Sequence, residues 1–213
     1  ALLVLIMSFY NRLDSVLIER LLPNPLGKEQ AGVYAQAFRL LDAGQNFALL
    51  FAVLLLPLFS KMISIRESVE KMVKLSFSII ISGSLIIAIT SQFFATDLMQ
   101  LMYGINTGET EQHYMLRISQ SAIILKLLMF SFVAISTNYI FGTLLTANHN
   151  LKQLNFIALG GLVINLSLNL ILIPYFYSIG SAWASLATQS VTALLQFLLV
   201  YKIFKFKISF KHV

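Results

Sequence analysis

Long apolar segments, separated by short polar or turn-forming stretches, are the feature that most constrains the fold of this chain. A helix needs about 20 apolar residues to cross a bilayer core of about 30 Å. Backbone amides in lipid must also be paired within their own segment, so apolar runs of this length are helices rather than open strands. We expect about six crossings, at residues 1–22, 32–57, 75–95, 118–146, 151–173 and 180–201.

The composition agrees with a chain that lies in a membrane. Of its 213 residues, 58% are hydrophobic and 11% are charged, and the mean hydropathy is +0.81. Soluble domains carry about 25% charged residues, so this chain has too little polar surface to coat a water-soluble body. The sequence contains no cysteine, which excludes disulfides and thiolate chemistry. We predict an all-α integral membrane protein, with a transmembrane lobe at 1–201 and a basic cytoplasmic tail at 202–213.

Lysine and arginine are unequally distributed between the two sides of the predicted bundle. Nine lie on the side of the tail and three on the other side. Because positively charged loops stay in the cytoplasm, we expect a cytoplasmic C-terminus. The net charge of +6 then reflects topology and contact with anionic lipid rather than a nucleic-acid partner. The nine are Lys61, Arg66, Lys71, Lys74, Lys152, Lys202, Lys205, Lys207 and Lys211, and the three are Arg20, Lys28 and Arg117.

Charged residues inside the predicted helices are the sharpest functional signal, because each is costly in lipid unless it is paired or hydrated. The first helix contains Arg12 and Asp14, and the second contains Arg39 and Asp42. An antiparallel hairpin centred near residues 26–27 would put Asp14 level with Arg39. It would also put Arg12 nearly level with Asp42. These groups either form two interhelical salt bridges or line a hydrated cavity, and the two interpretations are compatible.

Lys126 lies about eight residues into the fourth predicted helix, which is a similar depth. Together with the two arginines and two aspartates it leaves one positive charge at this level. Guanidinium groups match phosphate oxygens, so a substrate that bears phosphate is one interpretation. The other is a long side chain that reaches the outer headgroups.

Small and polar residues at helical spacing in the last three predicted helices favour close packing and interhelical hydrogen bonds over ligand contact. They are Ser131, Ala134, Asn138 and Gly142 in the fourth helix, Gly161, Asn165 and Asn169 in the fifth, and Ser181, Ser185, Thr188, Thr192 and Gln196 in the sixth.

The sequence contains no residue constellation typical of an enzyme. His113, His149 and His212 lie in different polar segments, without the spacing of metal ligands. A glycine-rich phosphate loop, a nucleophile elbow and an HExxH motif are all absent from it. We therefore expect neither an enzyme nor a cofactor.

Four strings together resemble a known family of transporters. In order and spacing they are similar to the C-terminal lobe of the polysaccharide-biosynthesis flippases. That superfamily also contains the peptidoglycan-precursor flippases and the multidrug and toxin extrusion transporters. The strings are YNRLDSVLIERLL at 10–22, AGVYAQAFRLLDAGQNFALLFAVLLLPLFSKM at 31–62, FFATDLMQLMYG at 93–104 and NLSLNLILIPYFYSIGSAWASLATQ at 165–189.

The resemblance implies two six-helix lobes around a central cavity, in the inner membrane of a bacterium. It implies that an undecaprenyl-pyrophosphate-linked oligosaccharide is moved to the outer leaflet, for surface polysaccharides such as lipopolysaccharide O-antigen. Arg12, Arg39 and Lys126 would then bind the pyrophosphate. The resemblance covers only the second of the two lobes, and Ala1 lies inside an apolar run. We therefore expect a fragment that needs an N-terminal lobe as its partner for transport.

Two alternatives remain open at this stage. A cation-coupled multidrug antiporter of the same superfamily would use Asp14 or Asp42 to carry an ion or a proton, although such proteins usually have cavity acids without matched bases. A non-transporting membrane subunit of a polysaccharide-synthesis complex would show no transport even in the intact parent protein.

Overall fold

The computed structural model describes residues 13–206, which are almost entirely helical. Residues 1–12, with Arg12, and residues 207–213 of the predicted tail lie outside this described part. Four of the described helices, α2 to α5, are long and apolar enough to cross a membrane, which confirms a multi-pass, all-helical membrane chain. The helices are α1 at 13–21, α2 at Leu26–Ser64, α3 at Glu70–Met102, α4 at Glu111–Ala147 and α5 at Leu151–Phe204.

α5 consists of two helical arms joined at Tyr177. Its 54 residues would extend for about 80 Å as one straight helix, far more than a bilayer core. Tyr177 has φ 54° and ψ −138°, which interrupts the helical path. Gly161 lies against Thr192, and Gly180 lies against the Leu172 carbonyl. The arms, 151–176 and 178–204, therefore pack side by side as an antiparallel hairpin.

α4 is the central helix of the described bundle. More than half of its most apolar window is buried (56%), against 22% in each of α2, α3 and α5. It packs against all three of those helices. Large side chains such as Phe47, Phe93 and Val163 remain exposed on the outer helices. This is the distribution expected of a bundle whose solvent is lipid.

The alternating helix directions define two ends of the bundle. The Tyr177 end carries Tyr177 and the turns at 22–25 and 103–110, and the Asn148 end carries the turns at 65–69 and 148–150. The apolar core at the Asn148 end is built from side chains of all four long helices. These include Leu55, Phe59, Val73, Phe141, Leu144, Leu154 and Val200.

Several helix boundaries differ from the expected ones. The polar 60–74 segment is mostly helical, and its turn is confined to 65–69, because polar residues at helix ends can extend beyond the lipid. Pro174 does not end its helix. The interruption comes three residues later, at Tyr177, since a proline removes only one backbone donor.

The hairpin formed by α1 and α2 has its centre earlier in the sequence than the expected residues 26–27. α2 begins at Leu26, directly after Pro25, rather than near residue 32. Gly27 packs against the backbone carbonyls of Glu19 and Leu22, so α1 and α2 meet about a centre near residue 24. This shift of the centre changes which residues of the two helices face each other.

Candidate functional site

The Asp14 carboxyl group lies at the meeting point of α1, α2 and both arms of α5. It is only 2% exposed. Its Oδ2 accepts hydrogen bonds from the Tyr34 hydroxyl at 2.7 Å and from the Ser185 hydroxyl at 2.6 Å. Its Oδ1 accepts one from Asn169 Nδ2 at 2.9 Å. Three neutral donors from three helical segments therefore hold one buried acid.

Asn165 completes this group, which we call the Asp14 cluster (Asp14, Tyr34, Asn165, Asn169 and Ser185). Asn169 Nδ2 also donates to Asn165 Oδ1 at 3.0 Å. Asn165 Nδ2 and Asn169 Oδ1 are buried and have no hydrogen-bond partner among residues 13–206. Buried polar groups are usually satisfied, so among the described residues Asn165 Nδ2 is left able to donate to a water molecule, and Asn169 Oδ1 to accept from water or bind a cation.

The sequence builds the cluster from helical spacing and one sharp reversal. Asn165 and Asn169 are four residues apart on the first arm of α5, so they lie on one face. The reversal at Tyr177 brings Ser185 on the second arm opposite them. A Cβ on Gly161 would lie 2.7 Å from Thr192 Cγ2. The arms can approach this closely because residue 161 is glycine.

The expected contact between Asp14 and Arg39 is wrong. Asp14 lies level with Tyr34, five residues before Arg39, because the hairpin turns near residue 24 rather than 26–27. Arg39 and Asp42 are exposed, and neither forms an ion pair within residues 13–206. The predicted Arg12–Asp42 contact involves a residue outside the described part.

Arg39, Asp42 and Lys126 lie on the neighbouring helices α2 and α4. These helices run in the same direction, and the Ser121 hydroxyl donates to Gln36 Oε1 at 3.0 Å. Arg39 follows Gln36 by three residues and Lys126 follows Ser121 by five, so the two cations lie at similar levels. Lys126 is half-buried and has no ion-pair partner in the described chain.

The sequence predicts a role for Asp14 but not the partners that surround it. The spacing of Asn165, Asn169 and Ser185 predicts close packing and interhelical hydrogen bonds, without indicating that they meet an acid. Nothing in the sequence indicates that Tyr34 contacts Asp14. The available clue was the pair of polar stripes on either side of Pro174, since two adjacent antiparallel helices must bring such stripes together.

A second polar group, the Gln30 cluster (Gln30, Gln120 and Ser178), lies nearer the Tyr177 end. Gln30 Nε2 donates to Gln120 Oε1 at 3.0 Å. The Ser178 hydroxyl donates to Gln30 Oε1 at 2.5 Å. Gln30 and Ser178 are buried, and Gln120 is half-buried. The cluster therefore links a buried amide to a partly exposed side chain.

The 103–110 turn is fixed by an ion pair between Glu109 and Arg117. Arg117 Nε donates to Glu109 Oε1 and Nη2 donates to Oε2, both at 2.8 Å. Nη2 also donates to the Gly104 carbonyl at 2.9 Å. The hydrogen bonds from Arg117, followed by one from the Asn106 backbone N–H, lower the pKa of Glu109 from 4.5 to about 2. This pair orders the turn and leaves the carboxylate fully neutralised.

No group of three or more His, Cys, Asp or Glu side chains within residues 13–206 is arranged to hold a metal ion. In comparisons with known proteins, no family model, curated protein or solved structure matches this chain.

Proposed function

We propose that this chain is one lobe of a membrane transporter, with about six transmembrane helices, and that it works against a second lobe. The observation that carries this proposal is the exposure of Arg39 and Asp42 in the middle of a membrane-spanning helix. Arg39 lies about 20 Å along α2 from Leu26, at about 1.5 Å per residue. Bare hydrocarbon opposes charges at that depth, so this surface needs water or another protein surface beside it.

The proposed substrate is an undecaprenyl-pyrophosphate-linked oligosaccharide, flipped across the inner membrane for surface polysaccharide synthesis. Its charged head must pass an apolar core, and fixed cations beside a water-filled cavity offset the hydration that it loses. Arg39, Lys126 and, by sequence, Arg12 are the candidate phosphate contacts, because arginine stays charged and binds phosphate through two nitrogens.

Complementation of a flippase-null strain tests the substrate. The intact parent protein carrying Arg39→Ala should lose glycan export at matched membrane expression, and Arg39→Lys should retain part of it. Arg66→Ala is the matched control, because Arg66 is an exposed arginine in the turn at the Asn148 end. Full export by the Arg39→Ala and Arg12→Ala double variant would rule out a role for both arginines in substrate binding.

The proposed orientation places the 65–69 turn and the C-terminus in the cytoplasm. Cysteines introduced at Ser64 and Ser209 should then resist a membrane-impermeant thiol reagent in intact cells, whereas Thr107→Cys should react. These 213 residues contain no cysteine, so none of them reacts with the reagent in the unsubstituted chain. Reaction at Ser64 and Ser209 but not at Thr107 would reverse the orientation.

A second candidate function, cation coupling, is favoured by the Asp14 cluster. An antiporter of this superfamily is expected to have cavity acids without matched bases. The predicted base beside Asp14, Arg39, is not its partner, and the described partners of Asp14 are all uncharged. An ionisable group in the membrane whose described partners carry no charge suits a mobile cation, either a proton or a sodium ion, because binding cancels its charge. Coupling is compatible with either a flippase or a drug antiporter.

Transport into membrane vesicles under an imposed proton or sodium gradient tests coupling at Asp14. The Asp14→Asn variant should lose its response to the gradient. Asp97→Asn is the control, because Asp97 is an exposed acid on α3. If Asp14→Asn responds normally while Asp42→Asn does not, the coupling acid is Asp42 and the Asp14 cluster is structural.

A further inference from the structure

The Gln30 cluster lies about one helical turn from the Asp14 cluster on α2 and about two turns from it on the second arm of α5. On α2, Gln30 precedes Tyr34 by four residues, so the two side chains lie on one face. On the second arm of α5, Ser178 precedes Ser185 by seven residues, about 10 Å along the helix. The two polar clusters are therefore neighbours along a single seam between α2 and α5.

Ser181 occupies the position between them. It lies three residues after Ser178 and four before Ser185, which places all three on the same helix face. Its side chain is fully buried, and its Oγ has no hydrogen-bond partner among residues 13–206. A buried hydroxyl without a partner is costly, and a water molecule that bridges neighbouring polar groups is the usual remedy.

Beyond the Asp14 cluster, towards the Asn148 end, the same seam is closed by methyl groups. Thr188 turns its hydroxyl to the Ala184 carbonyl, and its Cγ2 faces Gly161. Thr192 Cγ2 also faces Gly161. Further in this direction Asn138 donates to Gln189 and Thr192. The methyl contacts with Gly161 therefore lie on the Asn148 side of the Asp14 cluster.

We propose that the Gln30 cluster and Ser181 form the route by which a cation reaches Asp14 from the Tyr177 end, while Gly161, Thr188 and Thr192 seal the opposite side. This inference rests on the proposed coupling at Asp14. Water at Ser181 links the half-buried Gln120 to the carboxyl group. Tyr34 is the only titratable side chain within residues 13–206 that hydrogen-bonds to Asp14.

Single cysteines in the otherwise cysteine-free chain test the route. Each variant of the intact parent protein is placed in right-side-out and inside-out vesicles and treated with a small cationic methanethiosulfonate. A thiolate that water reaches attacks the reagent, forms a mixed disulfide and releases the sulfinate. Thr107→Cys marks the side of the Tyr177 end. Ser131→Cys is the buried control, since Ser131 is fully buried and donates to the Leu127 carbonyl.

Ser181→Cys and Ser178→Cys should react from the same side as Thr107→Cys, at least about tenfold faster than Ser131→Cys. Thr188→Cys should react as slowly as the control from both sides. Adding Gln30→Leu should slow the reaction of Ser181→Cys to the rate of the control, because it replaces the amide link with an apolar side chain.

The outcomes separate the route from the coupling on which it rests. If Ser181→Cys is as inert as Ser131→Cys, or reacts only from the side opposite Thr107→Cys, the route is overturned, even where Asp14→Asn abolishes the response to a gradient. If Ser181→Cys reacts as expected but Asp14→Asn transports normally, the coupling is overturned and the seam is a water pocket without a transported cation.

Discussion

Asp14 and Glu109 show two different ways of placing a carboxyl group in the same bundle. Glu109 lies in a turn at the Tyr177 end and is neutralised by one arginine eight residues away. Asp14 lies inside the bundle and is held by donors 20, 155 and 171 residues away. The first arrangement is local and electrostatic. The second depends on the whole fold, and the partners of the acid among residues 13–206 are all uncharged.

The difference in partners predicts a difference in what each acid can do. A carboxylate paired with a guanidinium keeps its ion pair only while it is ionised, so it suits a permanent structural role. A carboxyl group surrounded by hydroxyl and amide groups can change its charge without losing an ionic partner, because those groups can rotate or exchange roles as donor and acceptor. Variants of the two sites should therefore differ in both the size and the kind of their effects.

The largest loss of stability is expected for Asp14→Ala. The substitution removes the shared acceptor of the Tyr34 and Ser185 hydroxyls and one of the acceptors of Asn169, and a buried donor that loses its acceptor costs about 1–3 kcal/mol. We expect the free energy of unfolding in detergent to fall by about 3–5 kcal/mol. Asp14→Asn keeps the shape and an acceptor oxygen, so it should lose less stability while still abolishing the response to a cation gradient. Equal stability of Asp14→Ala and the wild type would show that the cluster does not hold the helices together.

The next largest effect is expected for Gly161→Ala, which tests the close approach behind the cluster. The added methyl group would lie 2.7 Å from Thr192 Cγ2, so the arms of α5 must separate. Overpacking of this kind typically costs about 1–3 kcal/mol. Gly160→Ala is the matched control, because nothing lies within 4 Å of its new Cβ. Thermal unfolding of the two variants should differ clearly, and identical midpoints would argue against the tight hairpin.

A smaller loss is expected for Tyr34→Phe, which removes one of the three donors to Asp14 and preserves the ring. Interhelical hydrogen bonds in membranes are worth about 0.6 kcal/mol on average and rarely exceed about 1.7 kcal/mol. We expect a loss of about 1 kcal/mol in unfolding free energy. Tyr139→Phe is the control, at a half-buried tyrosine of α4, and it should lower the unfolding free energy less. In a double-mutant cycle with Asp14→Asn the two losses should not add, and strict additivity would count against the contact.

The membrane class and the approximate helix positions could be predicted from sequence because hydropathy reports directly on lipid exposure. The α2, α3 and α4 segments were all located, although each extends further into polar sequence than expected. Their exact ends depend on capping and on turn contacts such as that of Gly27 with Glu19, which hydropathy does not report. The 54-residue α5 was correctly divided into two apolar runs, but the interruption lies at Tyr177 rather than Pro174.

The partners of Asp14 could not be predicted because they depend on the register between helices. A shift of the hairpin centre from residues 26–27 to 24 moves the residue opposite Asp14 by five positions, from Arg39 to Tyr34. Charge pairing is one way to compensate a buried acid, and nothing in the sequence excludes it. The neutral solution requires the fold of α5, whose two arms bring Asn169 and Ser185 to the same carboxyl group.

The smallest effect is expected at the Glu109–Arg117 pair, where Glu109→Gln removes the charge but keeps the shape of the side chain. The pKa of Glu109 is lowered in the folded protein to about 2, from an ordinary value of 4.5. The pair therefore stabilises the fold fully above about pH 4.5. Its contribution shrinks as the pH falls below that value and is lost through about pH 2.

The difference in unfolding midpoint between the wild type and Glu109→Gln should thus be measurable at pH 7 and much smaller at pH 3. Glu111→Gln is the matched control, because Glu111 is exposed in the first turn of α4 and forms no ion pair with a described residue. Its midpoint should follow that of the wild type across this pH range. Cation-coupled transport at neutral pH should be unaffected by Glu109→Gln, since this acid is neutralised by Arg117 and lies outside the seam. A loss of coupling in Glu109→Gln with normal folding would contradict the division of roles between the two acids.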